Sequence, residues 1–98
     1  MYVILTSKPG RFRTELAEGM RAVEAYDYAF CGRTRAQFVI AQVEGEPKVR
    51  IVEESTPALV NLVSSKFLPR FDSLEKARRE LEALVGFGRL DVSLTRLS

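Results

Sequence analysis

Residues 72–86 constrain the fold more than any other part of the chain. Asp72-Ser73-Leu74-Glu75 reads as a capping box, with Asp72 accepting from an N–H of the first turn and Glu75 reaching back to the Asp72 N–H. Leu74, Ala77, Leu81, Leu84 and Val85 recur at helical spacing as an apolar stripe. On the wet side Glu75 stands four residues before Arg79, Lys76 before Glu80 and Arg78 before Glu82, where opposite charges support a helix. Gly86 follows as the left-handed stop. The spacing predicts a helix over 74–85, and its stripe must be buried on the strands that the remaining chain supplies.

Those strands are legible as alternation. Residues 2–6 form an apolar run that ends at Ser7-Lys8-Pro9-Gly10, where Pro9 presets φ and Gly10 supplies a positive φ, as a type II turn requires. Residues 11–20 show no clean period and read as a loop or a short helical piece. From 22 to 41 the chain reads as a β-hairpin. Val23, Ala25, Asp27, Ala29 and Cys31 alternate with Glu24, Tyr26, Tyr28 and Phe30, and Gly32-Arg33-Thr34-Arg35 makes the connection. After the break Glu44-Gly45-Glu46-Pro47, residues 48–54 add a third strand, which predicts an antiparallel meander. Residues 55–68 favour a short helix, with Thr56 as cap, Pro57 at the first position and Leu59, Leu62, Val63 and Phe67 near one face. Residues 60–63 also read as a strand, since a short apolar run has no decisive period. Leu90, Val92 and Leu94 alternate in a last strand.

The expected fold is thus one α+β domain over residues 1–98. It has a single, mainly antiparallel sheet (meander plus terminal strands), one long C-terminal helix and one short helix, in the order β-β-β-β-α-α-β.

Composition excludes several chemistries. With one cysteine, Cys31, and no histidine, neither an internal disulfide, a Cys/His zinc site nor a histidine-based triad can form. No apolar run approaches membrane-span length, and the expected location is the cytoplasm. The 15 basic and 13 acidic residues leave a net charge of +2, too little for a strong field toward nucleic acid. Few amides beside many ionisable residues fit a heat-adapted source. Abundant arginine fits a GC-rich genome equally well.

Four constellations merit weighing. Tyr26, Tyr28 and Phe30 share a strand face and, with Phe38, are candidates for an interface or a base-stacking platform, against the plainer reading of core beneath a helix. Cys31-Gly32-Arg33-Thr34-Arg35 has the look of an anion loop, but the arginine that a phosphatase loop needs six residues after its cysteine is Gln37 here. Cys31 then reads as a small buried hydrophobe. Ser64-Ser65-Lys66 lacks a serine three before the lysine, where Val63 stands. Lys8, Arg11 and Arg13, in a Gly/Pro loop with Phe12, are candidates for holding a phosphate or carboxylate, and Arg33 and Arg35 join them as anion or nucleic-acid candidates. No catalytic, cofactor or metal residue is assigned, and the reading leans away from an enzyme.

The strings Leu5-Thr6-Ser7-Lys8-Pro9-Gly10, Glu24-Ala25-Tyr26-Asp27-Tyr28 and Ser65-Lys66-Phe67-Leu68 resemble those of a small bacterial domain family of unknown function, over nearly the whole chain. The resemblance implies a compact α+β fold and brings no activity or site residue with it. The preferred function is a non-enzymatic, self-associating interaction domain. The alternatives are a weak binder of nucleic acid or a phosphorylated ligand, and an enzyme with an unrecognised site. A homo-oligomer is expected because the hairpin strands are apolar on both faces, more than one helix covers.

Overall fold

The structure, a computed structural model, describes residues 1–54, 57–86 and 92–97. Its elements are β1 (Tyr2–Ser7), β2 (Phe12–Glu15), β3 (Met20–Phe30), β4 (Arg33–Val43), β5 (Lys48–Glu53), β6 (Val60–Ser64), a 3-10 turn (Ser65–Phe67), α1 (Leu74–Val85) and β7 (Val92–Arg96). They build two antiparallel sheets, not one. The larger has the order β1-β4-β3-β7 and the smaller β2-β5-β6.

The hairpin is present as β3 and β4, but the third strand does not continue it. Instead β5 leaves by way of Gly45, whose φ is +69°, and pairs with β2 and β6. The stretch read as a loop supplies β2, and β1 joins β2 through the expected type II turn. Gly10 has φ +81°, and Arg11 N–H donates to the Lys8 carbonyl at 2.9 Å. At this corner Thr14 N–H donates to Ser7 Oγ at 2.9 Å and the Thr14 hydroxyl to the Thr6 carbonyl, so β2 covers that end of the β1 edge. Phe71 covers the other end, exchanging both backbone bonds with Tyr2.

The two-faced apolarity of the hairpin follows from this layering. On one face Ala36, Phe38 and Ile40 of β4 meet Ala77, Leu81 and Val85 of α1. On the other, Val3 and Leu5 of β1 and Ala41 and Val43 of β4 meet Val49 of β5, with Val63 and Leu68 packed alongside. The face expected to need a symmetry mate is therefore covered, over this core, by the smaller sheet of the same chain. Tyr26 and Tyr28 pack against the helix-side core and Phe38 is buried in it, with the Tyr28 and Phe38 rings edge-on at 6.3 Å. These aromatics are core beneath a helix, as the plainer reading had it. Phe30, at the end of β3, is half-buried.

The short helix is replaced by β6 and the 3-10 turn. Its supposed stripe has no core to face: Leu59, Leu62 and Phe67 are exposed. A strand instead sets Val63 opposite the buried Val49, which suits a β-branched residue. The proposed cap, Thr56, lies outside the described residues.

The long helix spans Leu74–Val85 as expected and stops at Gly86, with φ 63° and ψ 42°. Its cap is Ser73 and not Asp72: Ser73 Oγ accepts from Lys76 N–H at 3.2 Å. Asp72 instead pairs with the Lys76 ammonium at 2.9 Å, and Glu75 with Arg79 at 2.7 Å. Leu84 is 61% exposed and lies off the buried stripe. The last strand is present as β7 beside β3, while Leu90 lies outside the described residues. Among the described residues no helix is long and apolar enough to cross a membrane.

Candidate functional site

The hairpin tip shapes the site. Phe30 and Arg33 pair across a two-residue turn whose residues, Cys31 and Gly32, have φ of +52° and +78°. Positive φ at both positions is the type I′ geometry that matches strand twist. Cys31 is therefore an exposed turn residue, contrary to the buried hydrophobe expected of it. Just beyond the turn the register slips: Tyr28 faces Ala36 and Ala29 faces Thr34, which leaves Arg35 as the extra residue of a β-bulge. In a regular strand Thr34 and Arg35 would face opposite ways. A bulge re-aims a side chain, and here Thr34, Arg35 and Ala36 all line one cleft.

That cleft has a volume of about 580 Å3. Lys8 and Arg11 reach it from the two ends of the type II turn, whose geometry holds their Cα atoms within about 7 Å. Thr6, Tyr28 and Phe38 line it from the sheet, and Leu84 and Val85 from the last turn of α1. The turn is anchored from behind, because Gly10 N–H donates to Glu54 Oε2 at 2.8 Å and Glu54 N–H to the Arg11 carbonyl at 2.8 Å.

Three of the five cations expected to bind anions thus meet in one concavity. The other two do not. Arg13 points its guanidinium at Glu15, 3.2 Å away, and Arg33 is exposed at the hairpin end outside the cleft lining. Arg50, Arg78, Arg79, Arg96 and Lys76 are likewise held by carboxylates. Among the described residues, the side chains of Lys8, Arg11 and Arg35 enter no ion pair.

Sequence reasoning missed Glu24, which is 1% exposed and faces α1. Its carboxylate accepts from Arg78 Nε at 2.8 Å and from the Tyr26 hydroxyl at 2.7 Å, and lies 3.3 Å from Arg96 Nη2. The Arg78 bond holds its pKa down to about 2 against the penalty of burial, with help from Tyr26 and the Arg96 charge. Burial and the Glu24 bond push the Tyr26 phenol up. The cluster ties α1, β3 and β7 together, and its geometry is that of a clasp. Nothing local to β3 announces it, since Arg78 is 54 residues away.

A second feature is the edge of the smaller sheet. Bonds from Glu53 N–H to Leu59 and from Ser65 N–H to Pro47 frame the β5–β6 ladder. Antiparallel bonds alternate, so Asn61 and Val63 bond to β5 while the N–H and C=O groups of Val60, Leu62 and Ser64 point away from it. Among the described residues no strand pairs with that side. Leu59, Val60, Leu62 and Phe67 are exposed around it, Leu62 at 62% and Phe67 at 73%. The strand contains neither charge nor proline.

Among the described residues no group of three or more metal-ligating side chains comes together. No protein-family model matches the chain, and no curated protein or solved structure is similar to it at a significant level, so the resemblance seen in the sequence rests on its three strings alone.

Proposed function

We propose that this chain is a non-enzymatic interaction domain that pairs with a second copy of itself through the free edge of β6. The observation that carries the reading is the chemistry of that edge. Sheet edges are normally guarded by a charge, a proline, a bulge or a covering segment. The β1 edge is covered by β2 and Phe71, whereas Val60–Ser64 has neither charge nor proline and exposes apolar side chains.

The edge is also self-complementary. An antiparallel twofold pairing centred on Leu62 sets Leu62 against its own counterpart and Val60 against Ser64, using the outward-pointing backbone groups. No like charges meet within the strand pair. Arg50, beside Leu62 on β5, would lie three strand spacings from its counterpart, about 14 Å, beyond the screening length of about 8 Å. The result is one six-stranded sheet shared by two molecules, a twofold arrangement common among homo-oligomers. A lone exposed cysteine, Cys31, suits a reducing compartment, and on this reading the domain works in the cytoplasm.

Cross-linking tests the register. Hydrogen-bonded antiparallel partners have Cα atoms about 5.5 Å apart, within disulfide reach. In a Cys31→Ser background, Leu62→Cys should give a disulfide-linked dimer under mild oxidation, and Leu84→Cys, at 61% exposure on α1, should not. Equal cross-linking of the two variants would count against pairing through β6.

A further inference from the structure

We propose that the cleft between the type II turn, the β4 bulge and the end of α1 binds a phosphorylated small molecule, through Lys8, Arg11 and Arg35. This site is separate from the β6 edge and does not depend on self-association.

Charge is the first argument. Lys8, Arg11 and Arg35 are not neutralised by any carboxylate among the described residues, whereas Arg13, Arg50, Lys76, Arg78, Arg79 and Arg96 are. No acidic residue lines the cleft. Glu53 and Glu54 line a neighbouring hollow on the other side of the turn, which Lys8 and Arg11 also border. Glu54, however, is committed to Gly10 N–H, and neither glutamate forms an ion pair with these cations. A phosphate monoester carries about −1.5 to −2 at neutral pH and three acceptor oxygens. That matches three converging cations better than a carboxylate, with its single charge, can.

Construction is the second. Two unrelated devices bring the cations together: the Pro9-Gly10 turn sets Lys8 and Arg11 at its ends, and the bulge turns Arg35 into the cleft. The hydroxyl-bearing residues Thr6, Thr34 and Tyr28 share the lining and bring groups that both donate and accept. Phe38, Leu84 and Val85 supply apolar wall for the organic part of the ligand.

Size is the third. About 580 Å3 lies within the range of roughly 300–1,000 Å3 usual for small-molecule sites. A nucleic-acid surface would instead spread its cations along a track. Here Arg13 is taken by Glu15, and Arg33 falls outside the lining.

Isothermal titration at low salt, with AMP, ribose 5-phosphate, inorganic phosphate and a single-stranded RNA oligomer as probes, tests the assignment. Saturable one-to-one binding of at least one phosphate ester is expected, tighter than that of inorganic phosphate. Arg35→Ala and Arg11→Ala should each weaken it by about tenfold or more, the loss of one charge-assisted bond. Arg50→Ala, remote on the smaller sheet, should leave it unchanged. Melting temperatures report that each variant is folded. The assignment is overturned by either of two results: no saturable binding of any ester at millimolar concentration, or binding that Arg35→Ala and Arg11→Ala leave intact. RNA affinity that rises with oligomer length while the esters fail to bind would also overturn it, in favour of a nucleic-acid surface.

Discussion

Glu24 shows how one side chain fixes the pH response of the fold. Its carboxylate is buried, and the guanidinium of Arg78, the Tyr26 hydroxyl and Arg96 hold its pKa near 2 instead of 4.5. Because the folded value lies below the ordinary one, the stabilisation is complete above about pH 4.5 and disappears as pH falls toward 2. At about 1.4 kcal/mol per unit the shift is worth at most about 3.5 kcal/mol, and water around the half-exposed Arg78 and Arg96 lowers this to about 1–3 kcal/mol. Glu24→Gln should therefore be less stable at neutral pH and lose less stability on acidification, as read by urea denaturation at pH 6, 4 and 2.5. An acid response identical to that of the wild type would show that Glu24 does not govern it. Such a residue is invisible in sequence. A glutamate in an alternating strand reads as solvent-facing, and its partners lie on a helix and a strand far along the chain.

Among the elements, those built on local chemistry were the legible ones. The α1 bounds follow from its stripe and from Gly86, and the turn before β2 follows from Pro9 and Gly10. Even so, the cap read as Asp72 is Ser73 in the fold, because either side chain is able to cap a helix and the local pattern does not rank them. Since Ser73 accepts from Lys76 N–H, Ser73→Ala should cost about 0.5–2 kcal/mol. Asp72→Ala, which removes a surface ion pair, should cost under about 1 kcal/mol. The reverse order in chemical denaturation would return the cap to Asp72. Elements that depend on pairing partners were not legible. Residues 12–15 have no apolar period because β2 is short and mostly half-exposed, and it is a strand through its pairing with β5 and its bonds to β1. Leu59, Leu62 and Phe67 mimic a helical face by spacing alone, yet β5 recruits the segment as β6. Of the cleft, the cations were legible as a basic loop and a basic turn. Their meeting was not, because it needs a bulge that moves Arg35 by one register position.

At the scale of the whole molecule, the two apolar faces of the β3–β4 hairpin report two covering layers, α1 on one side and the smaller sheet on the other. Sequence alone cannot distinguish a layer made by the same chain from one made by a neighbour, which is why that apolarity suggested an oligomer for a reason the fold removes. The case for self-association now rests on β6. Its outward backbone groups and the exposed Leu59, Val60 and Leu62 lie where no described strand covers them. Light scattering across a concentration series tests this directly, on the wild type and on Leu62→Lys, which would set two like charges against each other at the twofold axis. The account predicts that the wild type passes from 11.1 kDa toward twice that mass as concentration rises, while Leu62→Lys stays monomeric with an unchanged melting temperature. A wild type that remains a single 11.1 kDa species at every concentration, or a dimer that Leu62→Lys leaves intact, would contradict it.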